Sequence, residues 1–227
     1  CHLAVFSRAL FEAVGGERPE CDGAQDHDLF LRMIDRMQAD DPAAAPVHIP
    51  QVLYYWRVHA ASTSGGTGAK PYVQAAAQKA VADHLAATGR KGVVEPGKFP
   101  GLCHVRWALP DPPPLVSILI PNKDHADDLE KCLHSIYART NYDNYEVLVI
   151  ENNSTDPATF DYYKTLPQRY EGCRVVTYRG GFNFSAINNF GRKAAKGQYL
   201  LLLNNDVEVL SHDWLGELLG EGHPPHR

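Results

Sequence analysis

The second half of the chain alternates short apolar runs with amphipathic stretches. Val116–Ile120, Tyr145–Ile150 and the leucines from Leu200 run on without amphipathic spacing, which is typical of strands buried on both faces of a parallel sheet. Between the first two runs, Asp127–Tyr137 has its apolar residues three or four positions apart, which indicates a helix. Strands that alternate with helices predict an α/β fold with an open, mostly parallel sheet and right-handed crossovers.

Local signals place the other elements of this half. Asp156 followed by Pro157 predicts a helix start, because the carboxylate can cap the helix and proline suits its first position. The remaining predicted elements are a strand over Arg174–Tyr178, a helix over Phe184–Lys196 closed by Gly197, and a helix near Asp213 capped by Ser211.

The first half is less regular, and a proline-rich stretch separates it from the second. Three consecutive prolines follow Asp111, and such a run cannot lie inside a helix or a central strand. The sequence therefore predicts a stiff linker over 109–114 between parts at 1–108 and 115–227. The predicted elements of the first part are a helix from Ser7 to Gly15, a helix over Asp26–Gln38, an extended stretch over Val47–Val58, a flexible loop over Ser62–Gly68, a helix over Ala75–Ala87 and a strand over Leu102–Trp107.

Composition narrows the function classes. The 227 residues have a formal net charge of −5, which does not favour a nucleic-acid-binding protein. No apolar run approaches the ~20 residues of a membrane span, and no signal peptide opens the chain. Five scattered cysteines without a CxxC pair indicate reduced thiols. We therefore expect a cytoplasmic protein; because it begins at Cys1, we interpret it as a piece of a longer polypeptide.

Polar residues follow several of the predicted strands. Pro121–Asp124, Glu151–Asn153 and Asn204–Asp206 all fall at carboxyl ends of parallel strands, so we expect them to converge on one crevice. Asp206 suits a divalent cation that bridges to a diphosphate, and the Glu151 carboxylate suits a nucleobase N–H or a ribose hydroxyl. Ordinary helix-capping loops are the alternative. The chain contains neither GxGxxG nor GxxxxGK[ST], so a dinucleotide fingerprint or a P-loop is not supported.

Two candidates lie in the first half, after a strand-like run. Alternation places Arg57 and His59 on one face, where Arg57 would contact diphosphate oxygens and His59 would be a further metal ligand. A surface arginine and a structural histidine are the alternative. Taken by itself, Asp26 is an acid favoured by the dipole at a helix N-terminus.

Four ordered motifs carry a family resemblance. Val116–Asp124, Val149–Asp156, Phe182–Asn189 and Leu203–Asp206 with Asp213–Leu215 resemble the amino-terminal half of a family 2 glycosyltransferase, in particular bacterial rhamnosyl-type enzymes of cell-surface polysaccharides. The resemblance implies a Rossmann-like fold of the glycosyltransferase A type, a nucleotide-diphospho-sugar donor and a divalent cation, Mn²⁺ or Mg²⁺. It implies Asp206 and His59 as metal ligands and, as donor-binding residues, Arg57, Pro121, Asn122, Asp124, Glu151, Asn153, Asn188, Asn204 and Asn205.

Two positions depart from the family pattern. Asn204–Asp206 stands for a metal-binding DxD motif, but only its last position is an acid. Glu151 stands where an aspartate usually contacts the base. Both departures weaken the metal and uridine binding that the resemblance implies, without removing it.

The first half resembles the acceptor-side segment of the same family. The matching stretches are Val14–Gly16, Gly23–Arg32 and His48–His59. Gln25 and Asp26 occupy a Glu-Asp pair whose aspartate is the catalytic base, so the resemblance implies that role for Asp26. Asp28 is expected to cap the helix or to brace Arg32.

The order of the halves is reversed relative to a complete domain, which runs from donor half to acceptor half. We interpret the chain as the end of one transferase domain, a linker and the start of a second. The alternative is that the two halves complete each other, within the chain or between two copies.

The predicted function is transfer of a sugar, with inversion, from a nucleotide-diphospho-sugar to a saccharide or lipid-linked saccharide acceptor. The longer parent is expected to associate peripherally with a membrane, and the fragment alone is expected to be inactive or to bind nucleotide weakly. One alternative is a nucleotidyltransferase, although Pro121–Asp124 lacks the expected glycine. Another is a non-catalytic α/β nucleotide-binding module of receiver-like type, although no suitable lysine follows Asp206 on a late strand.

Overall fold

A computed structural model describes residues 3–55, 71–99 and 101–222. The chain forms two compact units, and the boundary between them along the sequence lies between Ala108 and Leu109. This boundary lies where the predicted linker begins. The assignment of the two parts to two transferase domains stays a prediction.

The first unit contains helices and one hairpin. Ser7 caps the first helix as predicted, because its Oγ accepts a hydrogen bond from the Leu10 backbone nitrogen at 3.2 Å. Residues 47–55 form neither helix nor strand. The elements are α1 (Arg8–Ala13), a 3-10 turn (Pro19–Cys21), α2 (Gln25–Asp40), α3 (Pro71–Ala87), β1 (Gly92–Pro96) and β2 (Cys103–Trp107), with β1 and β2 antiparallel.

The second unit is the predicted α/β sheet. Its four strands lie in the order β5-β4-β3-β6, and every neighbouring pair is parallel. The fold prediction is therefore confirmed for this half. The elements are β3 (Val116–Asn122), α4 (Ala126–Arg139), β4 (Tyr145–Glu151), α5 (Pro157–Arg169), β5 (Cys173–Thr177), α6 (Phe184–Ala194), β6 (Tyr199–Leu202) and α7 (Trp214–Gly222).

The two central strands, β3 and β4, are covered on both faces. On one face Ile118 and Ile120 pack in a cluster with apolar residues of α4, α5 and α7. On the other face Leu119, Leu148 and Ile150 pack with Ile187 of α6. This two-sided burial explains why these strands read as continuous apolar runs.

The edge strand β6 corrects one expectation. Leu200 and Leu202 were predicted to be buried on both faces, but 41% of Leu200 and 54% of Leu202 is exposed. The reason is that β6 pairs only with β3, at the edge of the sheet, while α6 covers β3 and β4.

Three boundaries also differ from the prediction. Strand β3 continues through Pro121 to Asn122, which the sequence placed in a loop. Helix α6 ends at Ala194, so Gly197 does not close it. Helix α7 begins at Trp214, which leaves Ser211 outside its first turn.

Candidate functional site

The carboxyl ends of the strands meet at one edge, as the sequence predicts. The parallel register places Asn122 of β3 beside Glu151 of β4, and Glu151 beside Thr177 of β5. Asn152 continues the ladder, since its backbone nitrogen donates to the Asn122 carbonyl at 2.9 Å. The loop after β6 joins them through Asn205, whose Nδ2 donates to Asn122 Oδ1 at 2.6 Å.

Glu151 is the centre of this edge. Only 3% of the residue is exposed. Its Oε1 accepts a hydrogen bond from the Ser154 backbone nitrogen at 2.7 Å, and its Oε2 accepts from the Ser154 hydroxyl and from the Tyr163 hydroxyl, the latter at 2.9 Å. These bonds satisfy the carboxylate from within the protein. In this arrangement Glu151 orders the loop that follows it, and its contact with a base stays a prediction.

Asp124 connects the first two loops. Its Oδ1 accepts hydrogen bonds from the backbone nitrogens of Thr155 at 2.8 Å and Asp156 at 2.9 Å. These donors hold the pKa of the Asp124 carboxyl below its usual range, since hydrogen bonds to the charged form favour it. In return, the Asp124 backbone nitrogen donates to Ser154 Oγ at 2.8 Å.

The other predicted asparagines differ in setting. Asn153 is exposed, with φ at 58°, and its Nδ2 donates to the Gly180 carbonyl at 2.8 Å. Asn188 is buried in α6, where its Nδ2 donates to the Phe184 carbonyl at 2.9 Å. Its Oδ1 has no hydrogen-bond partner among the described residues. The structure therefore joins Asn153 to the loop after β5, whereas in the described part of the chain no hydrogen bond links the Asn188 side chain to the edge.

The Asn204–Asp206 loop exposes its two outer residues. Asn204 and Asp206 are exposed, whereas Asn205 between them is half-buried. The described residues include no group of three or more acidic, histidine or cysteine side chains that would hold a metal alone. Mg²⁺ is usually held by one or two carboxylates together with substrate phosphates. A single exposed carboxylate fits a cation that is shared with a diphosphate.

The predicted base lies in the other unit. Asp26 is half-buried in the first turn of α2. Asp28 is buried and accepts hydrogen bonds from Arg18 and, at 3.0 Å and 2.6 Å, from Arg32. The expected brace between Asp28 and Arg32 is confirmed. Arg57 and His59 lie outside the described residues.

Two residues of the edge were missed by the sequence reasoning. Tyr163, on α5, donates to Glu151 and accepts from Asn122 Nδ2 at 2.7 Å. Ser154 lies within the Val149–Asp156 motif, but no site role was predicted for it. Nothing in the sequence separates Tyr163 from a core aromatic, because it lies on the apolar side of an amphipathic helix.

A cavity of about 370 Å³ lies elsewhere in this unit. The second half of α4 and the segment after β6 line it, with Lys131, His134, Arg139, Glu208 and His212 among the lining residues. None of the predicted site residues that the structure describes lines this cavity, so the cavity is distinct from the described part of the candidate site.

A family model described as Glycosyl transferase family 2 matches residues 117–221. This range runs from Ser117 in β3 to Glu221 in α7 and includes every edge residue described above. Residues 117–221 form a family 2 glycosyltransferase domain. The resemblance predicted from the four motifs is therefore confirmed for the second unit.

Two relatives match both units. The chain is 37% identical over 225 residues to the uncharacterized protein y4gI of Sinorhizobium fredii (strain NBRC 101917 / NGR234), covering 99% of this chain and 24% of that protein. It is 38% identical over 227 residues to the O-antigen biosynthesis protein RfbC of Myxococcus xanthus, covering 99% of this chain and 17% of that protein. The chain thus spans 24% and 17% of the lengths of these two relatives.

Among solved structures, the mannosyltransferase PcManGT from Pyrobaculum calidifontis, in complex with GDP-Man and Mn²⁺, is similar over 49% of this chain and 33% of its own. The identity is 21% and the TM-score is 0.45. Within the described ranges, no helix combines the length and the apolar character that crossing a membrane requires.

Proposed function

We propose that the second unit is the nucleotide-sugar-binding half of an inverting glycosyltransferase that acts in cell-surface polysaccharide synthesis. The observation that carries the proposal is the carboxyl edge of the sheet. Within the family 2 domain, Asn122, Glu151 and the Asn204–Asp206 loop are hydrogen-bonded into one edge. Open α/β sheets bind ligands at this edge.

The residues of this edge have separate roles in the proposal. Pro121, Asn122 and Asp124 form the floor beneath the nucleotide, and Asn153 and Asn204 are exposed for contact with it. Asp206 would hold a divalent cation, Mn²⁺ or Mg²⁺, which when bound neutralises charge on the leaving nucleoside diphosphate. In the domain to which the first unit belongs, Arg57 is proposed to contact diphosphate oxygens and His59 is proposed to bind a cation.

An acid in the role of Asp26 completes the proposed reaction. It takes the proton from an acceptor hydroxyl while that oxygen attacks the anomeric carbon from the face opposite the leaving group. The bond from sugar to acceptor forms as the bond from sugar to diphosphate breaks, so the carbon inverts. The acceptor is proposed to be a saccharide or a lipid-linked saccharide.

The alignments support a tandem arrangement. Both run through 99% of this chain, so the two halves occur in the same order in two longer proteins. RfbC is named for O-antigen biosynthesis, which favours a polysaccharide product here. We propose that Asp26 and Asp206 belong to two different active sites and that the chain alone does not transfer sugar.

Calorimetric titration with UDP and dTDP, with and without Mn²⁺, tests the donor site. We expect metal-dependent binding that is lost in Asp206→Ala and kept in Asp161→Ala, whose exposed carboxylate pairs with Lys164 on the outside of α5. Equal binding by both variants, or no binding by the folded wild-type chain, would contradict the proposal.

Product analysis tests the reaction class. Nucleoside diphosphate released by the parent protein from a sugar donor supports a glycosyltransferase, whereas pyrophosphate supports the nucleotidyltransferase alternative. Sugar transfer by the purified 227-residue chain would contradict the assignment of Asp26 and Asp206 to separate sites.

A further inference from the structure

The side chains at the sheet edge form a hydrogen-bond chain with one direction. Asn205 Nδ2 donates to Asn122 Oδ1 at 2.6 Å, and Asn122 Nδ2 donates to the Tyr163 hydroxyl at 2.7 Å. The Tyr163 hydroxyl in turn donates to Glu151 Oε2 at 2.9 Å. The chain therefore runs from the loop after β6 to the buried Glu151 carboxylate.

The Asp124 backbone carbonyl fixes the direction. It accepts a hydrogen bond from Asn122 Nδ2 at 2.8 Å, and a carbonyl oxygen can only accept. The amide nitrogen of Asn122 therefore faces Asp124 and the Tyr163 hydroxyl, whose oxygen accepts from it. The amide oxygen of Asn122 must consequently face Asn205, and only the amide nitrogen of Asn205 can donate to it.

The hydrogen-bond chain attaches the loop that carries Asp206, the predicted metal ligand, to the edge of the sheet through Asn205. Asn205 is half-buried, while Asn204 and Asp206 on either side are exposed, and Asn205 and Asp206 lie in a turn. The loop has a second attachment, because the Cys132 thiol donates to the Asn204 carbonyl at 3.6 Å. Loss of the first attachment would thus loosen the loop without releasing it.

We infer that Tyr163 is a positioning residue that acts through Asn122 and Asn205 to set the conformation of the loop carrying Asp206. Its relevance to donor binding rests on the proposed function. Its effect on the loop does not, because the contacts exist without any ligand. Only 7% of Tyr163 is exposed, and its hydroxyl reaches the loop of Asp206 through Asn122 and Asn205.

The neighbouring Tyr162 provides a matched control. Its hydroxyl also donates to a glutamate, Glu130 Oε2, at 2.6 Å, and it lies on the same helix. Tyr162→Phe and Tyr163→Phe therefore remove the same chemical group and one hydrogen bond to a carboxylate. Only Tyr163→Phe interrupts the chain to Asn205.

Amide hydrogen exchange in the ligand-free protein is the first test. The Leu203 backbone nitrogen donates to the Leu119 carbonyl at 3.0 Å, so its amide reports on the start of the loop. We expect exchange over residues 203–207 to be at least fivefold faster in Tyr163→Phe than in wild type, and unchanged in Tyr162→Phe. Equal exchange in the two variants would overturn the inference, whether or not the protein binds nucleotide.

The second test is the affinity for UDP with Mn²⁺. We expect Tyr163→Phe to weaken metal-dependent binding about three- to tenfold and Tyr162→Phe to leave it unchanged. Asn205→Ala should weaken binding similarly, and the double variant should be no weaker than Asn205→Ala alone, because the two residues act in series. Independent, multiplicative effects would contradict the inference.

The two tests separate the inference from the proposed function. A faster loop in Tyr163→Phe, combined with no UDP binding by the wild-type protein, would support the positioning role and contradict the donor site. Unaltered exchange of the loop in Tyr163→Phe, combined with UDP binding by the wild-type protein, would contradict the positioning role and support the donor site.

Discussion

Asp124 Oδ1 lies 2.9 Å from the backbone nitrogen of Asp156 and accepts a hydrogen bond from it. Asp156 in turn caps α5, since its Oδ1 accepts from the Ala158 nitrogen at 2.9 Å. The Asp124 carboxylate thus binds the backbone of Asp156, the residue whose own carboxylate caps α5. Tyr163 also lies on α5. The start of α5 therefore supports both the loop after β3 and the hydrogen-bond chain that runs from Asn205 to Glu151.

Asp124→Asn is expected to lower stability in a pH-dependent way. The hydrogen bonds from Thr155 and Asp156 lower the pKa of the Asp124 carboxyl in the folded protein. The stabilisation is therefore fully present above the unfolded pKa of about 3.9. It is lost as the pH falls through the lowered folded pKa.

Urea unfolding of the wild-type protein and of Asp124→Asn checks this prediction. The measurements should run from about pH 2.5 to about pH 7, a range that includes that pKa. The gap in unfolding free energy should be widest near neutral pH and should close in acid. A gap that stays constant across the range would show that the ionised carboxylate is not what stabilises the loop.

Asp28→Asn is expected to destabilise the first unit strongly, whereas Asp26→Asn is not. Only 1% of Asp28 is exposed, and it pairs with Arg18 and Arg32. Burial alone would raise the pKa of Asp28, but the hydrogen bonds from these arginines outweigh it and lower the pKa. Removing one partner of such a pair costs about 3–5 kcal/mol. Asp26 is a first-turn acid whose favourable interaction with the helix dipole is about 0.3–1 kcal/mol.

Hydrogen exchange of the α2 amides separates the two variants, since it reports on this unit without requiring two-state unfolding of the whole chain. The Asp26→Asn profile should stay close to wild type. Comparable loss of protection in both variants would show that Asp26 is also structural, which would weaken its assignment as a base.

Much of the second unit could be predicted because its sequence is locally consistent. Runs such as Val116–Ile120 are apolar throughout because helices cover both faces of β3 and β4. The alternation of strands and helices also predicted that the carboxyl ends of those strands lie at one edge of the sheet. The exposure of Leu200 and Leu202 could not be predicted, since it depends on which strand lies at the edge.

The details of the site depend on geometry that a sequence does not display. Glu151 was predicted to offer its carboxylate to a ligand, and that role stays a prediction, but the hydrogen bonds that the carboxylate accepts from Ser154 and Tyr163 could not be predicted. The Tyr163 hydroxyl reaches the edge only because of where α5 crosses the sheet. In the first unit, β1 was missed because its ends, Gly92 and Pro96, are residues disfavoured in strands.

Gly197→Ala is expected to destabilise the second unit by about 1–3 kcal/mol. A Cβ at this position would lie 2.6 Å from the Ser117 backbone nitrogen and 2.8 Å from the Leu115 carbonyl oxygen. Both are main-chain atoms of the sheet or its approach, so they cannot move aside. The Gly197 nitrogen also donates to Ser117 Oγ at 2.8 Å, a bond that such a shift would stretch.

Gly181→Ala is the matched control, because a Cβ there would have no atom within 4 Å. Thermal unfolding should show a lower Tm for Gly197→Ala and a Tm near that of wild type for Gly181→Ala. If Gly197→Ala were as stable as wild type, Gly197 would not be required for the close approach to Ser117.

The thiols of Cys132 and Cys173 are expected to resist alkylation in the folded protein. Burial raises the pKa of Cys132 to about 11 and that of Cys173 to about 12, so almost no thiolate, the reactive form, is present near pH 8. Cys103 is half-buried, and burial raises its pKa less strongly. Mass spectrometry after brief iodoacetamide treatment should find Cys103 modified well before Cys132 and Cys173, and all three modified in urea. Rapid native labelling of Cys173 would mean that the β5 edge of the sheet opens under these conditions.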